Sequence, residues 1–313
     1  MKLVKIREYV IGEGKPLICL PLTADHMSAL FKETQEAVTA NHAQMVEWRV
    51  DLYRPEELMN DLEEILHGLR KRIGSMLLLV TIRTVAEGGR FNGNSEAYVS
   101  LYHRIIQTGA ADLIDIELSQ GNTVMQELNR AAHEQGCHTI ASCHYFTHTP
   151  ALKEMCTCIN NLSSSGADIA KLAVMPKEPM DVLYLLQASA QMKACLRTPL
   201  ISMSMGVMGC VSRLCGEIFG SCVTFAVQAN ESAPGQMKLA VVAPVIEAIH
   251  EGIVKQQTEK NLRDMPKDSK IKKVLCSKTK WKEEFDVSNY KKGTTESNCH
   301  ENGGGSTSGC KKS

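Results

Sequence analysis

Net charge, aromatic rings and long apolar runs are what this chain has least of. Its 313 residues carry 35 basic and 35 acidic side chains, so no overall field draws it toward nucleic acid or a membrane surface. No apolar run approaches the roughly 20 residues that a membrane span requires. Aromatics make up only 5% of the chain, whereas methionine is plentiful at 15. Two signatures are also missing. No Gly-rich dinucleotide loop follows the first strand pattern, and no nucleophile elbow supports Ser/His/Asp hydrolysis. What remains is a globular composition, 43% hydrophobic and 22% charged, long enough to bury a core without staples.

Cysteine is not scarce. There are twelve, nine of them in the body and mostly inside apolar runs, and in a chain of this length those are expected to be free, buried thiols rather than bridges. The start, MKLVKIREYVIGEG, is charged at alternate positions and does not read as a signal peptide. A cytoplasmic protein is expected. The charge balance hides an asymmetry, because from Lys255 onward there are 14 basic and 8 acidic residues. That end closes on GTTESNCHENGGGSTSGCKKS, Gly/Ser-rich and polar. The chain is therefore divided into a folded part, 1–256, and a charged tail, 257–313, expected to be disordered, with Trp281 and Phe285 as its few docking groups.

Along the folded part, strand and helix patterns alternate. Residues 1–12 read as a β-hairpin arm. Strands are expected at 16–22, 44–52, 76–83, 111–118, 138–146, 167–175, 198–206 and 220–228, each followed by a helical pattern, the last over about 236–255. The segment 54–74 shows the helix rules well, with Pro55 near its start, acids early, bases late and Gly74 at its close. Eight strand–helix units over about 250 residues match a (β/α)8 barrel, and the strands, apolar on both faces, match a parallel sheet. In such barrels the chemistry sits at the C-terminal strand ends.

Those ends are densely polar. In QMVEWRVDL, alternation puts Glu47 and Arg49 on one face. The next strand ends at Arg83, with Glu87 in the loop. Then come Asp115 and Glu117, read as partners for the arginines, then His144, Lys171, Met203 and Met205, with Arg213 beyond. A lysine inside a buried strand is costly to keep charged, and as a neutral amine it is a nucleophile. Arg49 and Arg83 nearby are expected to favour that free base. An amine of this kind attacks a ketone to give an imine, and the protonated imine acidifies the neighbouring carbon. His144 on the adjacent strand is placed to take that proton, with Glu87 orienting its imidazole. The arginines suit a substrate carboxylate.

The segments EWRVD (47–51), TIRTVAEGG (81–89), DLIDIEL (112–118), SCHYFTHTP (142–150), DIAKLAVMP (168–176), SMSMGVMGCVSRLCGEIFGS (202–221) and SAPGQM (232–237) resemble type I 3-dehydroquinate dehydratase in matching order. The resemblance runs from about residue 15 to 250. It implies a TIM barrel of the shikimate pathway that converts 3-dehydroquinate to 3-dehydroshikimate through an imine and syn loss of water, with no metal or cofactor, as a homodimer. By position it implies Lys171 as the Schiff-base lysine, His144 as the proton shuttle and Glu87 as the orienting acid. Arg213, Ser232 and Gln236 would bind the carboxylate end of the ring. Glu47, Arg49 and Arg83 would contact its hydroxyls, and Met203, Met205 and Phe225 would form an apolar wall. Tyr145, after the histidine, departs from the small acidic or amide residue expected there, and the charged tail has no counterpart.

Blander readings compete. Lys171 could snorkel from a strand end. His144 and His148 have metal-ligand spacing only on a helix, and Pro150 argues against one there. Cys156 and Cys158 read as packing. Two alternatives stay open: another imine-forming barrel, of aldolase type, and a silent barrel used as a binding scaffold. No nucleic-acid or membrane partner is expected, only a small-molecule substrate.

Overall fold

Strict alternation along each strand decides the architecture. The computed structural model describes residues 3–228 and 232–264. Its strands are β1 (Val4–Ile6), β2 (Tyr9–Ile11), β3 (Leu17–Leu22), β4 (Met45–Arg49), β5 (Leu77–Thr81), β6 (Leu113–Glu117), β7 (His138–Tyr145), β8 (Ile169–Val174), β9 (Leu200–Ser204), β10 (Val223–Val227) and β11 (Met237–Lys238). The helices are α1 (Met27–Thr39), α2 (Pro55–Ile73), α3 (Ser95–Gln107), α4 (Asn122–Glu134), α5 (Leu152–Ser164), α6 (Pro179–Lys193), α7 (Cys210–Leu214), α8 (Gly216–Phe219) and α9 (Leu239–Asp264). Strands β3 to β10 form a parallel run in the order β10-β3-β4-β5-β6-β7-β8-β9, with β11 on the far end of β10. The run curls until its ends meet. Leu200 bridges Ser221, and the Cys222 N–H donates to Leu200 O at 2.8 Å. This is the TIM-barrel architecture expected from the alternation.

Each strand feeds two cores. Outward residues such as Val46, Trp48, Leu78, Val80, Ile114, Ala170 and Leu172 pack under the helices. Helix α2 shows how a helix answers them, burying Leu58, Leu62, Ile65, Leu66, Leu69 and Ile73 on one stripe. Inward residues Cys19, Met45, Leu77, Leu79, Leu113, Ile140, Ile169, Ile201 and Val223 fill the barrel interior together with Val4, Ile6 and Ile11 of the hairpin. The hairpin thus plugs the end from which the strands start. Arg7, beside it, reaches Asp112 at 2.6 Å, and Arg70 of α2 holds the other oxygen of the same carboxylate at 2.6 Å. Going up β4 and β6, the inward set changes from apolar to charged, as in Met45, Glu47, Arg49 and in Leu113, Asp115, Glu117. The barrel is closed by oil at one end and left to chemistry at the other.

Two expectations need correction. The strand expected over 44–52 stops at Arg49, and Val50–Leu52 forms a tight helical turn. That turn brings the Asp51 carboxylate back onto Arg49. The single helix expected near VSRLCGEIFG is two, α7 and α8, broken at Cys215, whose φ of −102° and ψ of 24° leave the helical region. Gly216 then passes so close to Ser221 O that a Cβ would lie 2.7 Å from it. Contacts divide the chain into a unit Met1–Val254 and a unit Lys255–Ser313, and of the latter only 255–264, a helical stretch, is described. The expectation of a disordered tail, including Trp281 and Phe285, falls beyond residue 264 and lies outside the described residues. Among the described residues no helix is long and apolar enough to cross a membrane.

Ile11 is fully buried in the plug. Replacing it with Ala should lower unfolding free energy by about 2–4 kcal/mol in urea titration, through lost transfer energy plus a cavity. An unchanged midpoint would show that the hairpin does not belong to the core.

Candidate active site

The register of neighbouring strands brings the charged layer together. Ser142 of β7 lies opposite Lys171 of β8, and His144 lies opposite Ala173, so Lys171 and His144 point inward one step apart on adjacent strands. They line one cavity, open to solvent, with Glu47, Arg49, Arg83, Met203, Met205, Phe225, Ser232 and Gln236. Ten of the twelve residues singled out from the sequence therefore share a wall. The other two stand just behind it. Glu87 lies behind His144, and Arg213 is buried beside Met203, whose Sδ is 3.5 Å from Nη1.

Each ionic group has a defined partner. His144 Nδ1 and Glu87 Oε2 are hydrogen-bonded at 2.7 Å, which turns the other ring nitrogen, Nε2, toward the cavity. The Ser119 hydroxyl donates to the second Glu87 oxygen at 2.7 Å. Arg83 donates to Asp115 at 2.9 Å, to Glu117 at 2.9 Å and to the Ser142 hydroxyl at 3.1 Å. Arg49 is gripped by both oxygens of Asp51, each at 2.8 Å. Lys171 donates to Asp115 Oδ2 at 2.7 Å, with Glu47 Oε1 at 3.8 Å and the Phe225 ring centroid at 4.9 Å. The charged groups bonded to Lys171 are thus carboxylates, not the arginines expected to surround it, because β6 and β4 turn their acids inward at the same level. Asp115 and Glu117 do pair with an arginine as expected, but Asp115 serves the lysine as well.

Burial and charge move the titrations apart. Burial lowers His144 well below its ordinary value, and the Arg83 and Lys171 charges lower it further, so the ring is neutral. Burial raises Glu87 to about 8, against the pull of Arg83 and with the push of Glu117. Burial also works against ionised Asp115, but Arg83 and Lys171 outweigh it and hold the carboxyl well below the usual carboxylate range.

Over the cavity, the 232–236 segment is tied down by its carbonyls. Arg49 Nη1 donates to Ser232 O at 3.1 Å, Arg213 Nη2 to Pro234 O at 3.1 Å, and the Gly206 N–H to Pro234 O at 3.0 Å. Gly235, at φ +76°, comes so near Gly206 that a Cβ would sit 2.2 Å from its carbonyl oxygen. The Gln236 amide and Ser232 hydroxyl bond each other at 3.1 Å. Sequence reasoning missed Phe146, Ala173, Ala233 and Gly88, which also line the cavity. Phe146 was readable, since it lies two residues beyond His144 on the same face. Gly88 was not, because its need for glycine comes from a left-handed backbone, at φ +79°, and from the Phe146 ring, 2.5 Å from where its Cβ would be. Tyr145 points to the other face of β7, toward Cys143, Cys158 and α5, and its ring packs edge-on against His148 at 5.4 Å. It is separated from the imidazole by the sheet.

The model of the family described as Type I 3-dehydroquinase matches residues 18–253. The 3-dehydroquinate dehydratase of Clostridioides difficile (strain 630) is 39% identical over 251 residues, 80% of this chain and 98% of that protein. That of Syntrophotalea carbinolica is 38% identical over 80% of this chain and 99% of its own. Among solved structures, the Clostridium difficile type I 3-dehydroquinate dehydratase with covalent modified comenic acid superposes with a TM-score of 0.76 at 38% identity, covering 80% of this chain and 98% of that one. The Geobacillus kaustophilus enzyme gives 0.77 at 37%, over 80% and 97%.

The titration of Glu87 generates a stability signature. From pH 6.5 to about 8, His144 is neutral folded or unfolded, whereas Glu87 is ionised when unfolded and keeps its proton when folded. Stability should fall across that window by up to ~1.4 kcal/mol per pH unit, measured by denaturant unfolding, and Glu87→Gln should flatten the fall. Below pH 6.5 the unfolded histidine takes up a proton that folded His144 refuses, so there its contribution falls with acid and opposes that of Glu87 down to about pH 4.5. A wild-type curve with the same slope as the variant would contradict this reading of the pair.

Proposed function

The chain belongs to the type I 3-dehydroquinase family, and from that premise we propose that it dehydrates 3-dehydroquinate to 3-dehydroshikimate through an imine on Lys171. The observation that carries the reading is the pairing itself: a buried amine and a buried neutral imidazole on adjacent strands, facing one cavity, with a carboxyl fixing the ring. The Lys171 nitrogen adds to the substrate ketone, and the ketone oxygen leaves as water, giving an iminium. His144 takes a proton from the adjacent carbon, the electrons flow toward the iminium nitrogen, and the hydroxyl on the same face departs with that proton as water. Hydrolysis of the conjugated iminium returns the lysine and releases the enone. A neutral base is needed at the second step, which the depressed titration of His144 supports.

The remaining residues take roles by position. Arg213, Ser232 and Gln236, linked through the 232–236 segment, are assigned the carboxylate end of the substrate ring. Glu47, Arg49 and Arg83 are assigned its hydroxyls. Met203, Met205 and Phe225 are assigned the apolar wall that keeps water from the imine. The charged tail and the direction of flux, biosynthetic or degradative, lie outside this assignment. A homodimer is carried by the family likeness alone. A cytoplasmic location draws further support from nine free cysteines among the described residues.

Formation of the product enone is followed in the ultraviolet, and borohydride added during turnover should leave a reduced adduct on Lys171, read by peptide mass. Lys171→Ala should lose the adduct and on the order of 10³-fold or more in kcat. Persisting turnover there would end the imine mechanism. His144→Ala should still form the adduct while kcat falls by about 10²–10⁴-fold. An absent adduct in that variant would move the histidine to imine formation.

A further inference from the structure

Asp115 is fully buried and does not line the cavity, yet it makes the closest charged contact to Lys171. Its Oδ2 accepts from Nζ at 2.7 Å from the side away from the ligand space. Its Oδ1 accepts from Arg83 at 2.9 Å and from the Ser142 hydroxyl at 2.5 Å. The carboxylate is thus fixed through one oxygen and offers the other to a single nitrogen. Neutralising Arg83 does not require it, because Glu117 already stands 2.9 Å from that guanidinium. Glu47 is a weaker partner for the lysine, 3.8 Å away on the cavity wall and accepting from Thr81 at 2.8 Å.

We propose that Asp115 is the permanent counter-ion of the reacting nitrogen, pairing with the Lys171 ammonium before substrate binds and with the iminium N–H after the C=N bond has formed. This rests on the imine reading above. Overall, an ammonium and a ketone give an iminium and one water, the nitrogen passing one proton toward the ketone oxygen as it adds, as a free amine, and a second before that oxygen leaves. One C–N σ bond forms and becomes C=N, the C=O bond is lost, and two of the three ammonium protons leave with the oxygen. The nitrogen carries one positive charge before and after, so a carboxylate fixed 2.7 Å away matches both states and need not move between them. Its second task follows from the first. An imine withdraws electrons only while protonated, and the ion pair with Asp115 keeps that proton on the nitrogen while His144 acts on carbon. The family of charges around it is consistent with an ionised Asp115 throughout, since Arg83 and Lys171 hold it in that form against its burial. Asp115 is therefore assigned as a catalytic residue that touches the reacting atom from behind.

The test compares wild type with Asp115→Asn, a near-isostere without the charge, in the full-length chain. Fold is checked by thermal melting, and kcat, KM and the alkaline limb of kcat are measured with 3-dehydroquinate. The expected result is a fall in kcat of about 100-fold or more, a KM within about 3-fold, slower borohydride trapping and an alkaline limb displaced to lower pH, because the unpaired iminium gives up its proton more readily. A folded variant with kcat within about 3-fold of wild type and an unmoved alkaline limb would overturn the proposal. Nitrogen NMR of wild type labelled at lysine Nζ, with substrate bound, serves if the variant does not fold: a protonated iminium persisting through the alkaline range is expected, and a neutral imine there would overturn it. A wild type that forms no borohydride adduct would remove the imine reading itself, whereas an adduct with an unaffected Asp115→Asn removes only the role of Asp115.

Discussion

Two cations, Arg83 and Lys171, lie almost wholly out of water, and the barrel holds them because inward-facing acids meet them at the same level. An unpaired buried charge costs several kcal/mol even after relaxation, and a pair is tolerated only when its remaining hydrogen bonds are met. Asp115 stands between the two cations, Glu117 completes Arg83, and Glu47 backs Lys171. The rest of the site inherits its properties from this cluster. Burial first, and then the same positive charges, keep His144 neutral, while burial, with a push from Glu117, raises Glu87, so the imidazole and its carboxyl partner owe their titrations to the same dry, charged layer.

The fold supplies this arrangement by dividing labour along each strand. Apolar residues at the strand starts, plugged by the hairpin, fix register and closure. The charged residues further along β4, β6, β7 and β8 are then carried into one neighbourhood without needing to find each other. A precise site can therefore sit on a scaffold whose core is ordinary, and the loops above it adjust the contents. The 232–236 segment is an example, tied to Arg49, Arg213 and Gly206 through the carbonyls of Ser232 and Pro234, with the Ser232 and Gln236 side chains left on the cavity wall.

Much of this was legible in the amino-acid sequence. The eight strand–helix units follow from runs of apolar residues with period two and amphipathic stretches between them, and all eight strands lie where those runs are. The inward set, Glu47, Arg49, Arg83, His144 and Lys171, was legible because alternation and the strand-end rule are local. What was not legible depended on distance across the barrel. Lys171 was expected in a field of arginines, but side chains from β4 and β6 reach it with acids, and no local pattern says which of several inward charges will touch. Tyr145 stood out as a neighbour of the histidine in sequence, and the pleat sends it to the other side of the sheet. Val50–Leu52 continued a strand pattern, but the Asp51 grip on Arg49 turns the chain there.

The central claim is that the substrate ketone becomes covalently bound to Lys171 as an imine in every turnover, and oxygen isotope tracing tests it most directly. With the enzyme in ¹⁸O-labelled water and unlabelled 3-dehydroquinate, the route through Lys171 expels the ketone oxygen and restores it from solvent. Product sampled in the first turnovers should therefore carry ¹⁸O at its carbonyl, well ahead of the enzyme-free exchange rate. Product that keeps its original ketone oxygen would contradict the account.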